Sequence, residues 1–227
     1  VDGEVFRLDV LEPAVEDAGD ADDEADHQHG GAGEGAAEEI VGDALHGRST
    51  RPYIVSKVYP HNASRKGVVA ACERSLKRLG TDRIDLYLLH WRGNVPFAET
   101  IAGFEALQAA GKIRHFGVSN LDIADMREWW AHAPGRAVAT NQILYNLTRR
   151  GPEWDLLPWL AERHIPVMAY SPIEQAQLVT HAGLIKFAQA HGMTPAQALA
   201  TATTNGALLL GLPTKLGRIA PGFYADI

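Results

Sequence analysis

The sequence predicts an α/β fold, an incomplete (β/α)8 barrel of the TIM type with about five parallel strands and flanking helices. Three observations lead there. From residue 53 onward, short β-rich runs alternate with amphipathic helix patterns, the order that βαβ units require. Each apolar run finishes in a polar residue, and the C-terminal strand ends of a parallel barrel gather on the face where its sites are built. The chain has 227 residues, whereas a complete barrel of this kind takes about 250.

Residues 1–35 form an acidic segment whose stretch 11–35 is dominated by Ala, Gly, Asp, Glu and His. So little apolar surface cannot offset the entropy of ordering, and disorder is expected there. A run at residues 5–10 could pair as an edge strand. Residues 36–45 place Ala37, Ile40, Val41, Ala44 and Leu45 at helical spacing, with Gly47 as a stop. Strands are expected at 53–57, 84–90, 113–119, 138–143 and 166–171, and helices at 64–79, 97–110, 123–131, 155–163, 183–191 and 195–210. Ser64 reads as an N-cap, Gly80 and Gly111 as C-terminal stops, and Thr194-Pro195 as a helix start.

The polar strand ends are Lys57, His90, Ser119 with Asn120, Asn141 with Gln142, and Tyr170 with Ser171. A polar residue at one strand end is commonplace; five in register suggest a shared pocket.

Charge divides the chain. Residues 1–47 hold 15 Asp/Glu and one base, Arg7, while the remainder holds 13 acids and 20 Lys/Arg. A basic body suits an anionic ligand such as a phosphorylated cofactor, although Lys and Arg spread over helix faces give the same count. No interleaving of basic and aromatic residues suggests nucleic acid. No apolar run approaches the ~20 residues that span a bilayer, and no signal-peptide pattern opens the sequence, so a cytoplasmic setting is expected. Cys72 stands alone and reads as core or helix surface.

The runs Tyr53-Ile54-Val55-Ser56-Lys57, Asp85-Leu86-Tyr87-Leu88-Leu89-His90, Gly111-Lys112-Ile113-Arg114, Gly117-Val118-Ser119-Asn120, Asn141-Gln142 and Ala169-Tyr170-Ser171-Pro172 together resemble the aldo-keto reductase superfamily in order and spacing. The resemblance covers about residues 33–197 and corresponds to the third to seventh strands of that family's barrel. It implies transfer of a hydride between NADP(H) or NAD(H) and a small-molecule carbonyl. By resemblance, Lys57 takes the role of the lysine that lowers a tyrosine's pKa, and His90 that of the histidine orienting the carbonyl. Ser119, Asn120 and Gln142 would hold the nicotinamide carboxamide, Tyr170 would stack on its ring, and Ser171 would lie near the pyrophosphate. Trp91 and Tyr59 would line the substrate pocket.

The same alignment puts Ala32 where the family has its proton-donating tyrosine, and the supporting aspartate falls near His27. Alanine has no proton to give, so family catalysis as written would be lost or greatly slowed. Tyr59, two residues beyond Lys57, is the nearest replacement in sequence. Residues 198–227, with Gly217-Arg218-Ile219-Ala220-Pro221-Gly222-Phe223, instead resemble the C-terminal tail of amidohydrolase-type enzymes, as a chimeric chain would. His27-Gln28-His29 echoes the start of a metal site of that second family, yet it lies in an acidic Gly-rich tract without a preceding strand, and no metal is expected. Gly31-Ala32-Gly33-Glu34-Gly35 likewise lacks the strand a phosphate cradle needs. Two other readings stay open: a metal-dependent or Lys/His-based hydrolase in a rearranged barrel, and a noncatalytic binding protein that forms homo-oligomers through exposed strand edges.

Overall fold

The structure is a computed structural model, and it describes residues 35–47, 51–172, 174, 177–194 and 197. The expectations for the acidic segment before Gly35, including Ala32 and His27, and for residues 198–227 fall outside the described residues.

Five strands form one sheet in the order β1 (Val55–Val58), β2 (Ile84–Leu89), β3 (Ile113–Ser119), β4 (Asn141–Leu144) and β5 (Val167–Tyr170). The pairings of β1 with β2, β2 with β3 and β3 with β4 are parallel. Sequential neighbours in parallel register, each reached through a helix, are the open form of the barrel the sequence predicts. The first helix, α1 (Ala36–Leu45), starts at Gly35, whose φ of 75° is left-handed. A Cβ at Gly35 would also run into the Arg78 side chain. In α2 (Arg65–Leu79) the Ser64 hydroxyl accepts from Gly67 N at 3.1 Å, and Gly80 ends the helix at φ 61°. α3 (Phe97–Ala109) precedes β3; α4 (Ile123–Ala131), capped by the Asp122 carboxylate accepting from Asp125 N at 2.9 Å, and α5 (Leu156–Glu162) flank β4.

Strand alternation gives the sheet two buried faces. Toward the helices, Phe104 stacks on Phe116 with centroids 5.3 Å apart, Tyr87 meets the Phe104 edge at 5.9 Å, and Phe97 meets Trp129 at 5.1 Å. Trp129 donates its indole N–H to the Gly135 carbonyl at 2.9 Å, which satisfies the one polar atom of a fully buried ring. The opposite face carries Val55, Leu86 and Leu88, with Tyr53, Ala139 and Met168 packed against them. Each such aliphatic side chain contributes about 2 kcal/mol on burial.

Two strands begin two or more residues later than their apolar runs. Ile54 N donates to the Asp85 carboxylate at 2.9 Å, and Arg51 pairs with the same group at 2.7 Å, so β1 starts at Val55 instead of Tyr53. Pro134 and Gly135 open a 3-10 turn over Pro134–Ala137, and the regular part of β4 starts at Asn141 instead of Val138.

The chain divides into two compact units. One, residues 13–143 with 153–168, holds β1 to β3, α1 to α5 and the two cores just described. The other takes in residues 144–152 and the described residues from 169 on. Within it lies α6 (Ala182–Ala190), and Glu174 binds Arg149 at 2.7 Å and also accepts from the Asn146 amide.

Candidate active site

Lys57 lies on β1 with only 4% of its surface exposed. Tyr53, Val55 and Lys57 alternate onto the inner face, while Ser56 points to the helix layer, where its hydroxyl donates to Glu38 at 3.0 Å. On β2 the same alternation carries Leu86, Leu88 and then His90, the residue just past the strand. His90 N continues the ladder by donating to the Val58 carbonyl at 3.0 Å. Lys57 and His90 therefore share a face, directly above the apolar layer of Val55, Leu86 and Leu88.

Electrostatics records that proximity. Burial, and after it the charge of Lys57, lower the His90 pKa from its usual 6.5 to about 3. The imidazole is thus neutral at pH 7. Its Nδ1 is a buried atom without a hydrogen-bond partner among the described residues.

Three aromatic rings wall this spot. Tyr59 stacks on His90 with centroids 5.1 Å apart and planes 29° from parallel, Trp91 meets Tyr59 edge-on at 5.1 Å, and His90 and Trp91 are 4.4 Å apart. Trp91 is 40% exposed, so the wall faces outward at this edge.

The neighbouring strand ends are knitted together. Ser119 is buried and donates its hydroxyl to the Gln142 carbonyl at 3.0 Å; Asn120 N reaches the same carbonyl at 2.8 Å. The Asn120 amide donates to the His90 carbonyl at 3.1 Å and to Ser119 Oγ at 3.2 Å, tying the end of β3 to the end of β2. Asn120 achieves this at φ 57°, a left-handed conformation that asparagine tolerates better than most residues. Gln142 is 4% exposed, and Asn141 beside it is fully buried. Asn141 donates to the Leu121 carbonyl at 2.9 Å, while its Oδ1 has no partner among the described residues. Strand alternation turns Asn141, the partner of Val118, to the helix side and Gln142, the partner of Ser119, to the inner face that carries Lys57.

Of the sequence-selected residues, Lys57, His90, Tyr59, Trp91, Ser119, Asn120 and Gln142 lie in one unit, at neighbouring strand ends. Tyr170 and Ser171 belong to the other unit, where Ser171, at φ 54°, accepts at its carbonyl from the Asn146 amide at 2.9 Å. Sequence reasoning passed over Glu38. It is wholly buried and holds both Ser56 and Arg78, the latter at 2.6 Å. Its signal was an acid three residues ahead of Val41 and seven ahead of Leu45, on the apolar stripe of α1. No cluster of three His, Cys, Asp or Glu able to hold a metal occurs among the described residues.

The aldo/keto reductase family profile matches residues 8–205. The chain belongs to the aldo/keto reductase family. That match extends beyond the segment 33–197 on which the resemblance rested, and it takes in most of the acidic N-terminal tract. Among curated aldo/keto reductases, the chain is 52% identical over 171 residues to methylglyoxal reductase YeaE of Escherichia coli (strain K12), covering 73% of this chain and 60% of that one. It is 33% identical over 149 residues to glyoxal reductase of Bacillus subtilis (strain 168), covering 65% and 52%. Among solved structures, an aldo/keto reductase from Klebsiella pneumoniae in complex with NADP and acetate superposes with a TM-score of 0.67 at 51% identity, over 73% of this chain and 61% of that one. A second Klebsiella pneumoniae aldo-keto reductase, in complex with NADPH, gives 0.67 at 50%. The chain thus spans 52% to 61% of the length of these relatives.

Proposed function

We propose that this chain is a nicotinamide-dependent oxidoreductase that reduces small aldehydes or ketones, with NADP(H) as its cofactor. The observation carrying the reading is the convergence of buried Lys57, neutral His90 and the Ser119, Asn120 and Gln142 cluster at adjacent parallel strand ends. Relatives named as methylglyoxal and glyoxal reductases favour compact oxoaldehydes as substrates, and those solved with NADP or NADPH favour that dinucleotide.

The donor set fits the cofactor. Ser119, Asn120 and Gln142 would hold the carboxamide of the nicotinamide. When bound, the reduced nicotinamide supplies a hydride to the carbonyl carbon. His90, neutral at pH 7, offers the carbonyl oxygen a hydrogen bond without a full charge. Lys57 places an ammonium close by, which favours the negative charge that develops on that oxygen. Trp91 and Tyr59 exclude water from the substrate side.

Ala32 stands where the family's acid is expected, so the rate of this chain depends on where the proton comes from. Mixing it with NADPH and methylglyoxal and following loss of NADPH absorbance tests the activity; NADPH consumption above the enzyme-free rate is expected, and none at millimolar concentrations of both would remove the reading. Pairing of chains through strand edges belongs to the same proposal, since β1 pairs with one strand, β2, among the described residues. A monodisperse monomer in light scattering would remove that part.

A further inference from the structure

We propose that Tyr59 is the acid of this site, donating its phenolic proton to the substrate oxygen. This rests on the carbonyl-reductase reading above and deepens it. Reduction of a carbonyl requires two deliveries: hydride adds to carbon, forming a C–H bond as the C=O π pair moves onto oxygen, and that oxygen then takes a proton. The reduced nicotinamide dinucleotide is the two-electron donor and is itself oxidised. The proton comes from the Tyr59 hydroxyl, whose O–H bond breaks, and the phenolate regains a proton from water.

The chain narrows the choice of acid by position. His90 carries no spare proton at pH 7, because burial and Lys57 hold its pKa near 3. As a neutral ring it can orient the oxygen, but protonating it outright would leave an imidazolate. The described tyrosines of this unit are Tyr53, Tyr59 and Tyr87. Tyr53 precedes the opposite end of β1, two residues before the strand starts, and burial with the Asp85 charge raises its pKa to about 12. Tyr87 is fully buried in the helix-side core against Phe104. Tyr59 alone among them stands at the strand-end face, half-buried, stacked on His90 and two residues from Lys57.

Its placement is rigid without help from any ligand. Tyr59 precedes Pro60, which favours the extended backbone observed at φ −66° and ψ 148°. Pro60 opens the 3-10 turn Pro60–Asn62, and it is buried against Gly93, where an added Cβ would collide with the Pro60 side chain. His61 stacks on the Tyr59 face at 5.5 Å and Trp91 closes its edge. A phenol stacked on a neutral imidazole at the strand end that carries the buried Lys57 is arranged for proton transfer, since a nearby ammonium favours the phenolate left behind.

The test compares the full chain with Tyr59→Phe, which keeps the ring and its stacking, in NADPH fluorescence titration, thermal melting and methylglyoxal-dependent NADPH consumption across pH. The inference expects unchanged NADPH affinity and melting, a kcat lower by about 100-fold or more, and loss of the alkaline limb of the wild-type pH profile. A Tyr59→Phe variant that turns over within about three-fold of wild type, keeping that limb, overturns it. So does a wild-type chain that binds NADPH but shows no turnover, an outcome that leaves the cofactor site standing. Absence of NADPH binding in both proteins removes the functional reading and this inference together.

Discussion

Lys57 and His90 lie on the same face of two hydrogen-bonded parallel strands, close enough that the ammonium helps keep the imidazole uncharged. The shift is large for a histidine, and it has a consequence for the whole protein. A histidine whose folded pKa is depressed contributes stability that is fully present above its unfolded value and is lost as pH falls through the folded value. The window runs from about 6.5 down to about 3. Melting temperature should therefore fall across that window, and His90→Gln should flatten this part of the curve. An unchanged acid limb in His90→Gln would show that the imidazole is protonated normally in the folded state.

Glu38 is a second buried charge, joined to Arg78 and Ser56. Removing one partner of such a pair leaves the other uncompensated, so Glu38→Ala should cost about 3 kcal/mol in chemical denaturation. Replacement of both Glu38 and Arg78 by apolar residues should recover part of it. A cost for Glu38→Ala below about 0.5 kcal/mol would place the pair among surface-like ion pairs.

Gly117 lies on β3 where its neighbours leave no room for a side chain on the inner face. A Cβ there would lie 2.7 Å from Leu88 Cδ2 and 2.8 Å from the Thr140 carbonyl. Gly117→Ala should destabilise by about 1–3 kcal/mol, and Leu88→Ala in the same chain should partly relieve the crowding while adding its own cavity cost. Equal stability of Gly117→Ala and wild type would mean that the strands are free to separate.

Asn120 bridges the ends of β2 and β3 from a left-handed backbone. Asn120→Gly should keep the backbone and lose the bridge, weakening NADPH binding with little change in melting. Asn120→Val should lose both, with a further cost of about 1–2 kcal/mol for the strained φ. Equal melting of the two variants would contradict the account of the turn.

Much of this architecture was legible from residue types. The bounds of α1, β3 and α4 follow the periodicity closely, because each has a capping or stop residue beside an unambiguous apolar stripe. The start of β1 was not, because the backbone at Ile54 is claimed by the Asp85 side chain, an interaction 31 residues away. Lys57, His90, Ser119, Asn120 and Gln142 were readable as candidates since each ends a strand and parallel strands bring like ends together. Glu38 was missed because an acid in an amphipathic helix normally points to water, and its partners Ser56 and Arg78 come from β1 and α2. The face-to-face packing of Tyr59 on His90 depends on the turn at Pro60 and on the Gly93 contact, which no local pattern encodes.

The central claim is that these strand ends form a nicotinamide site, and binding tests it more directly than turnover. NADPH fluorescence should change saturably on titration into the wild-type chain, with weaker affinity when Gln142 and Ser119 are replaced by Ala and melting shows the fold intact. No saturable change at millimolar NADPH, or equal affinity in wild type and the double variant, would contradict the account.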